Sequence, residues 1–319
     1  MTQFLDRHRQ LKAQVDERLA AIYPEGPHLL VEPIKHVLSN GGKRLRPILT
    51  MLSAEACGAS PADALHAAAA VEVLHNFTLV HDDVMDRDNI RHGQPTVHTV
   101  WDEGVAILTG DAMFINALAE LRLNPGDVEE MSSVFIRGAL AVCEGQALDK
   151  EFETRNDVTR HEYLQMIDLK TGHLLGLAAE LGAIVARAPA GVIACLRNFG
   201  QLLGRAFQIQ DDLLEIFSDT ATMGKSLGSD LVAQKKTYPV VAAAEKAQAE
   251  VKAALEEAGT DLDSGMQTLR RVLTESGVKA GAEEEIERTV GTALDELRLL
   301  GDKATSIKLF ADLVLNRKK

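Results

Sequence analysis

The sequence predicts an all-α fold, and three observations carry that prediction. Apolar residues recur at three- and four-residue spacing almost throughout, while the alternation of a half-buried strand is nearly absent. The chain is 46% hydrophobic but only 4% aromatic, rich in Ala and Leu and low in Pro, a balance that favours helices. The pattern breaks where turn chemistry demands it, at Gly-, Pro-, Asn- and Asp-rich stretches. At 319 residues, with no long linker and no short-period repeat, the chain reads as a single domain, residues 1–319.

The elements follow in order. A helix over 4–21 ends at "YPEGP", and one over 28–39 ends at "SNGG". Residues 46–57 run to "GASP", after which 61–86 carries the apolar stretch "ALHAAAAVEVLHNFTLVHDD". "RHGQP" separates it from 98–121, "NPGD" leads into 128–153, and "RNDVT" leads into 160–186. "RAPAG" precedes 190–218, and "ATMGKSLGSD" intervenes before 237–257. Helices over 264–275, 279–299 and 302–316 complete the chain. Stretches such as "LLGLAAELGAIVA" are apolar on more than one face and belong in the middle of a bundle. From about Ala247 the stripe narrows and runs such as "AEEEIE" read as solvated faces on peripheral helices.

The net charge of −13 argues against a nucleic-acid partner, although a local basic cluster or bound cations can still bring in an anionic substrate. Cys57, Cys143 and Cys195 are odd in number and far apart, with no metal or disulfide spacing; neutral thiols in a reducing compartment are the reading. The N-terminal "MTQFLDRHRQLKAQVDERLA" is charged throughout, unlike a signal peptide, and no stretch of 18 residues reads as a membrane span. A soluble, cytoplasmic protein is the expectation.

Two acidic clusters carry the chemistry. In "LVHDDVMD", Asp82 and Asp86 are one helical turn apart, which puts both carboxylates on one face with Cβ atoms roughly 6 Å apart. Asp83 is rotated by about 100° and is placed to support them from behind. Like charges at this spacing need a cation between them, and hard oxygen ligands suit Mg²⁺, which takes one or two carboxylates and completes its shell with water and phosphate. "FQIQDDLLEIF" repeats the pattern with Asp211, Asp212 and Glu215. One such cluster arises easily on a surface helix; two on core-type helices imply a site for several Mg²⁺ ions and a polyanion. The cations are interleaved: Lys43, Arg44 and Arg46 after a Gly-Gly turn, Arg87 and Arg91 after the first cluster, Lys170 beside Thr171, and Lys225, Lys235 and Lys236 after the second. Singly, each reads as a surface side chain; together they describe two diphosphate sites.

In motif order the chain closely resembles the trans-prenyltransferases, the farnesyl and geranylgeranyl diphosphate synthases. "GGKRLRP", "HDDVMD", "GQPTVH", "LTGD", "EGQALD", "KTGHL", "FQIQDD" and "GKSLGSD…KKTYP" fall in sequence between Gly41 and Pro239. The resemblance implies the isoprenoid synthase helical bundle around a deep central cavity, usually a homodimer, and condensation of isopentenyl diphosphate with an allylic diphosphate (dimethylallyl, geranyl or farnesyl). It implies three Mg²⁺ ions, with Asp82 and Asp86 as ligands on the allylic diphosphate, Asp211 for the remaining ion, and Asp212, Glu215 and Asp230 in support. Arg91, Lys170, Lys225 and Lys235 resemble the groups that contact the allylic diphosphate. Gly42, Lys43, Arg46 and His75 resemble the isopentenyl diphosphate site, and Thr171 and Gln208 the polar groups beside the developing carbocation.

Three positions depart from the pattern. His92 stands where the family has a second arginine that helps hold isopentenyl diphosphate. Glu215 replaces an aspartate, and the absence of a glycine before "KKTYP" leaves Lys235 and Lys236 as alternatives. Phe77 lies five residues before Asp82, about 7.5 Å along the helix. As a core phenylalanine it needs no further role, but in the family an aromatic here closes the pocket. Followed by Thr78 rather than a second aromatic, it points to a twenty-carbon product, with fifteen carbons as the alternative. Terpene cyclases share the fold but lack the "GGKRLRP" region, and a catalytically silent subunit tends to lose an aspartate cluster that this chain keeps.

Overall fold

A computed structural model describes residues 2–218 and 235–315. The chain runs through α1 (Thr2–Ala20), α2 (His28–Leu38) and α3 (Leu45–Ala56), then a 3₁₀ turn (Pro61–Ala64) into the long α4 (Leu65–Asp86). A short antiparallel ladder, Ile90–Arg91 with Gln94–Pro95, leads to α5 (Val97–Val100), α6 (Glu103–Leu121), α7 (Val128–Thr154) and α8 (Arg160–Ile167). A π-helical turn (Asp168–Gly172) joins α8 to α9 (His173–Val185), followed by α10 (Ala190–Phe217). Beyond it lie α11 (Tyr238–Ala258), α12 (Leu262–Glu275), α13 (Val278–Glu296), a 3₁₀ segment (Leu297–Ala304) and α14 (Thr305–Leu315).

The all-α expectation holds, and most helix ends fall where the turn residues put them. Side-chain caps set several starts: Asp102 accepts from Val105 N (2.8 Å), Asp127 from Glu130 N (3.0 Å), and Thr159 forms a capping box with Glu162. The cap at Asp102 corrects one expectation. The helix foreseen over 98–121 divides into α5 and α6 because Trp101 and Asp102 leave helical geometry. A second correction concerns hydropathy: α6 has the length and composition of a membrane-crossing helix, with a mean hydropathy of 1.4 over its best window. Here it packs against α4, and 44% of that window is buried.

Two apolar clusters meet along α10. The larger joins α1 to α7, α9 and α14 with Leu196, Phe199 and Leu203 of α10. The smaller joins α8, α11, α12 and the start of α13 with Ile209, Leu213 and Ile216. Gln208 lies on α10 where the two clusters meet, and Asp211 and Asp212 lie one turn further on, between Ile209 and Leu213.

A buried ion pair ties the N-terminal helices together. Arg44, in left-handed geometry at the start of α3, donates to Asp16 (2.8 Å) on α1, to Glu72 (2.9 Å) on α4 and to the Leu38 carbonyl (2.7 Å). Both Arg44 and Glu72 are buried, so removing one partner strands a charge without water. Glu72→Ala is expected to destabilise the protein by about 3–5 kcal/mol in urea unfolding. Arg7→Ala, which breaks the half-exposed Arg7–Glu55 pair, should cost no more than about 1 kcal/mol. Equal costs would refute this assignment.

Candidate active site

The first acidic cluster closes α4. Arg87 takes left-handed geometry and ends the helix directly after Asp86. The chain then turns through the ladder at His92 (φ 50°) and Gly93 (φ 77°). A two-residue hairpin loop of the type I′ kind has positive φ at both central positions, which favours a short polar residue followed by glycine. His92, where the sequence pattern leads one to expect arginine, is therefore an exposed turn residue. The ladder brings Arg91 back onto α4, where Nε donates to Asp83 at 2.5 Å. Asp83 thus pairs with Arg91 beside the cluster. Burial pushes its carboxyl up to about 6, with Arg91 opposing the shift.

Asp82 and Asp86 face lysines brought from three other segments. Lys170 Nζ lies 3.7 Å from Asp82 and 2.7 Å from Asp149 on α7. Lys235 Nζ is 3.0 Å from Asp86, and Lys150 Nζ is 3.7 Å from the other oxygen of that carboxylate. Of the two candidate lysines after the second cluster, Lys235 is thus placed beside Asp86. Burial raises the Asp82 pKa despite Lys170, with Asp86 reinforcing the rise, whereas at Asp86 the three lysines outweigh burial and lower it. Burial by itself would lower Lys170, but Asp82 and Asp149 together raise it, so it stays charged. Asp149 and Lys150 were not singled out from the sequence, although "EGQALD" contains the first; a lone acid on a long helix shows no partner until the fold supplies one.

Lys170 and Thr171 occupy the π-helical turn, which is held by close backbone packing. A Cβ on Gly145 would lie 2.4 Å from Lys170 N, and one on Gly204 would lie 2.7 Å from Gly172 Cα. Asp168, which opens the turn, is tied to Arg205 of α10. Thr171 Oγ1 bonds Gln208 Oε1 at 3.1 Å, and Gln208 Nε2 bonds Asp212 Oδ1 at 3.0 Å. Asp211 and Glu215 are half-buried one turn apart, while Asp212 is buried and receives the Tyr163 hydroxyl and the Tyr238 N–H as well.

Near the start of α3, Gly42 and Lys43 are exposed and Arg46 is half-buried, but Arg44 is committed to the interior. Phe77 stacks against His81 (4.9 Å between centroids) and Phe114 of α6 (5.4 Å), and Thr78 bonds back to the His75 carbonyl (2.8 Å). Lys225 and Asp230 lie outside the described residues.

The donor set fits Mg²⁺ in a particular way. Among the described residues, no three metal-capable side chains converge. Asp82 and Asp86 are instead a pair of partly buried hard-oxygen donors beside cations. That suits an ion which keeps most of its shell for water and phosphate.

His75 is sealed at Nδ1 without a hydrogen-bond partner, and burial followed by Arg46, Arg91 and His92 holds its pKa well below the ordinary value of 6.5. The unfolded chain takes up a proton as pH falls below 6.5 while the folded chain does not, so stability is full above that pH and declines beneath it. Chemical unfolding from pH 7 to 5 should show a shallower acid loss for His75→Gln than for the native protein, by at most about 1.4 kcal/mol per pH unit. Identical slopes would show that His75 is not held neutral.

Comparison with known proteins agrees with this arrangement. The model of the polyprenyl synthetase family matches residues 27–275. A short chain isoprenyl diphosphate synthase of Methanothermobacter thermautotrophicus is 38% identical, with 99% of each chain covered. The crystal structure of a geranylgeranyl pyrophosphate synthetase from Pyrococcus horikoshii superposes with a TM-score of 0.93 at 34% identity, covering 99% of each chain. That of a polyprenyl synthase from Caulobacter crescentus, complexed with calcium and isoprenyl diphosphate, superposes with a TM-score of 0.88 at 26% identity, covering 100% of this chain and 98% of that one. With paired aspartates answered by lysines on the ends of apolar helices, and this match over most of its length, the chain belongs to the polyprenyl synthetase family.

Proposed function

We propose that the protein is a trans-prenyltransferase that condenses isopentenyl diphosphate with an allylic diphosphate and releases geranylgeranyl diphosphate. The observation that carries this reading is the alignment of Asp82 and Asp86 with Lys170, Lys235 and Lys150, with the Thr171–Gln208 pair alongside. The whole-length relative from Methanothermobacter and the Pyrococcus structure support a short-chain product. The Caulobacter complex supports a divalent cation and a diphosphate together on this fold.

Asp82, Asp86, Asp211 and Glu215 would hold Mg²⁺, taken as three ions, which would supply positive charge against the departing diphosphate. The chain's own residues do the rest. Lys170 and Lys235 reach the space beside the carboxylates and contact the oxygens of the allylic diphosphate, joined by Arg91 and Lys225. Gly42, Lys43, Arg46, His75 and His92 receive isopentenyl diphosphate. Thr171 and Gln208 offer oxygen atoms to the allylic carbon as it becomes positive. The double bond of isopentenyl diphosphate attacks that carbon, and the proton then lost passes to the released diphosphate. The apolar bundle keeps water from the cation.

Below the acidic cluster, Phe77, His81 and Phe114 form an aromatic group that stops the growing chain. With isopentenyl diphosphate, Mg²⁺ and each allylic diphosphate in turn, the native protein should release diphosphate and accumulate a twenty-carbon product. Removing the metal with a chelator should abolish turnover. Phe77→Ser should lengthen the product, and a product no longer than that of the native enzyme would sink the assignment of Phe77. No turnover with any primer would favour a silent subunit.

The working unit is proposed to be a homodimer. Ile107, Leu108 and Ile115 of α6 are 48–64% exposed, and Ile136 and Leu140 of α7 are 55% and 58% exposed. Leu108 and Ile115 share one face of α6, and Ile136 and Leu140 one face of α7, the helical spacing of a surface that packs against a partner. Sedimentation should report a dimer that Ile115→Lys converts to monomer; a monomeric native protein would refute it.

A further inference from the structure

Asp212 was expected to support the Mg²⁺ site, yet both its oxygens accept hydrogen bonds from the protein. Oδ2 accepts the Tyr163 hydroxyl at 2.5 Å and the Tyr238 backbone N–H at 2.9 Å, and Oδ1 accepts Gln208 Nε2 at 3.0 Å. The donors come from α8, from the first residue of α11 and from α10 itself. Asp212, Tyr163 and Tyr238 are each at most 5% exposed. The carboxylate also sits at the positive end of α11, a further reason for it to be charged where it is. Asp211 and Glu215, on the same helix, are half-buried instead.

The three donors impose a direction on the hydrogen bonds beyond them. An ionised carboxylate can only accept, so Gln208 must turn its amide NH₂ towards Asp212. Its Oε1 is then the atom that meets Thr171, at 3.1 Å. An amide oxygen also only accepts, so the Thr171 hydroxyl must give its proton to Gln208. What Thr171 has left to present is lone pairs. Were the amide reversed, Gln208 would donate to Thr171 Oγ1 and the threonine proton would be free to point outward. A hydroxyl proton aimed at a forming cation raises its energy, whereas a preset oxygen lowers it.

We infer that Asp212 is a positioning residue rather than a metal ligand: held by Tyr163, Tyr238 and Gln208, it fixes the direction of the Asp212–Gln208–Thr171 chain so that Thr171 presents lone pairs, not a proton, to the carbon that ionises. The inference rests on the placement of Thr171 beside the allylic carbon given under the proposed function. It separates two aspartates that are adjacent in sequence: Asp211 faces the ions and Asp212 aligns the oxygens.

The test compares native protein, Asp212→Asn, Tyr163→Phe and Asp82→Asn as full chains. Mg²⁺ binding is measured by calorimetry in the presence of inorganic diphosphate, alongside melting temperature, kcat, KM and the ratio of allylic alcohol (cation captured by water) to condensed product. Asp212→Asn can offer Gln208 an amide N–H and so lets the chain reverse. It is expected to bind Mg²⁺ within about threefold of the native protein while kcat falls about 10- to 100-fold and the alcohol fraction rises, with KM little changed. Tyr163→Phe keeps the carboxylate and removes one donor. It should move kcat and the alcohol fraction in the same direction by a smaller factor, and it carries the test if Asp212→Asn does not fold. Asp82→Asn should lose Mg²⁺ binding. If Asp212→Asn, or Tyr163→Phe in its place, loses Mg²⁺ binding as fully as Asp82→Asn, the inference is overturned. It is likewise overturned if kcat and the alcohol fraction stay at native values. Should the native protein turn over no allylic diphosphate at all, the proposed function fails instead, and the calorimetric comparison still decides whether Asp212 holds metal.

Discussion

The positions of Lys170 and Thr171 depend on a close backbone approach. The π-helical turn 168–172 lies between α7 and α10, and it fits there because Gly145 and Gly204 present no side chain to it. Packing at that distance does two things at once. It swings Lys170 to Asp82 and Asp149, and it places Thr171 against Gln208. A π turn within otherwise regular helix shifts the register of everything after it, so the residues of α9 meet α3 and α10 on faces that an unbroken helix would turn elsewhere.

Around that turn the charges are balanced locally. The chain carries a net −13, yet each carboxylate of the first cluster has a cation within 4 Å: Lys170 at Asp82, Arg91 at Asp83, and Lys235 and Lys150 at Asp86. The pairing opposes the rise that burial imposes on Asp82 and Asp83, lowers Asp86, and keeps Lys170 charged where burial would favour its neutral form. The same cations are those a diphosphate needs, so under the proposed function the groups that hold the folded site together would also recognise its substrate. Arg44 shows the other use of a basic residue: in the same "GGKRLRP" stretch as Lys43 and Arg46, it faces inward and binds α1 to α4.

The apolar helices were easy to read because burial leaves a 3.6-residue imprint whichever neighbour provides the cover. The boundaries that slipped were those decided by single capping interactions, such as Asp102 at α6. Membrane compatibility was misjudged for the same helix: its composition suits a lipid or a protein surroundings equally, and contact with α4 shows which face this fold covers.

Spacing along the chain by itself determined the two acid clusters, since residues four apart on a helix share a face in any fold. The family resemblance in motif order added Lys170, Thr171, Gln208 and either Lys235 or Lys236 to them. Only the tertiary structure decided which partners adjacent residues meet. Asp82 and Asp83, or Asp211 and Asp212, are identical in type and one position apart. They differ by about 100° around the helix, and what lies in each direction belongs to other segments: Arg91 for Asp83, Tyr163 and Tyr238 for Asp212. Likewise Asp149 joins the site, and Arg44 leaves it, through contacts with residues 21 and 28 positions away. Local periodicity fixes where a side chain points relative to its own helix axis. It carries no information about which helix is packed there.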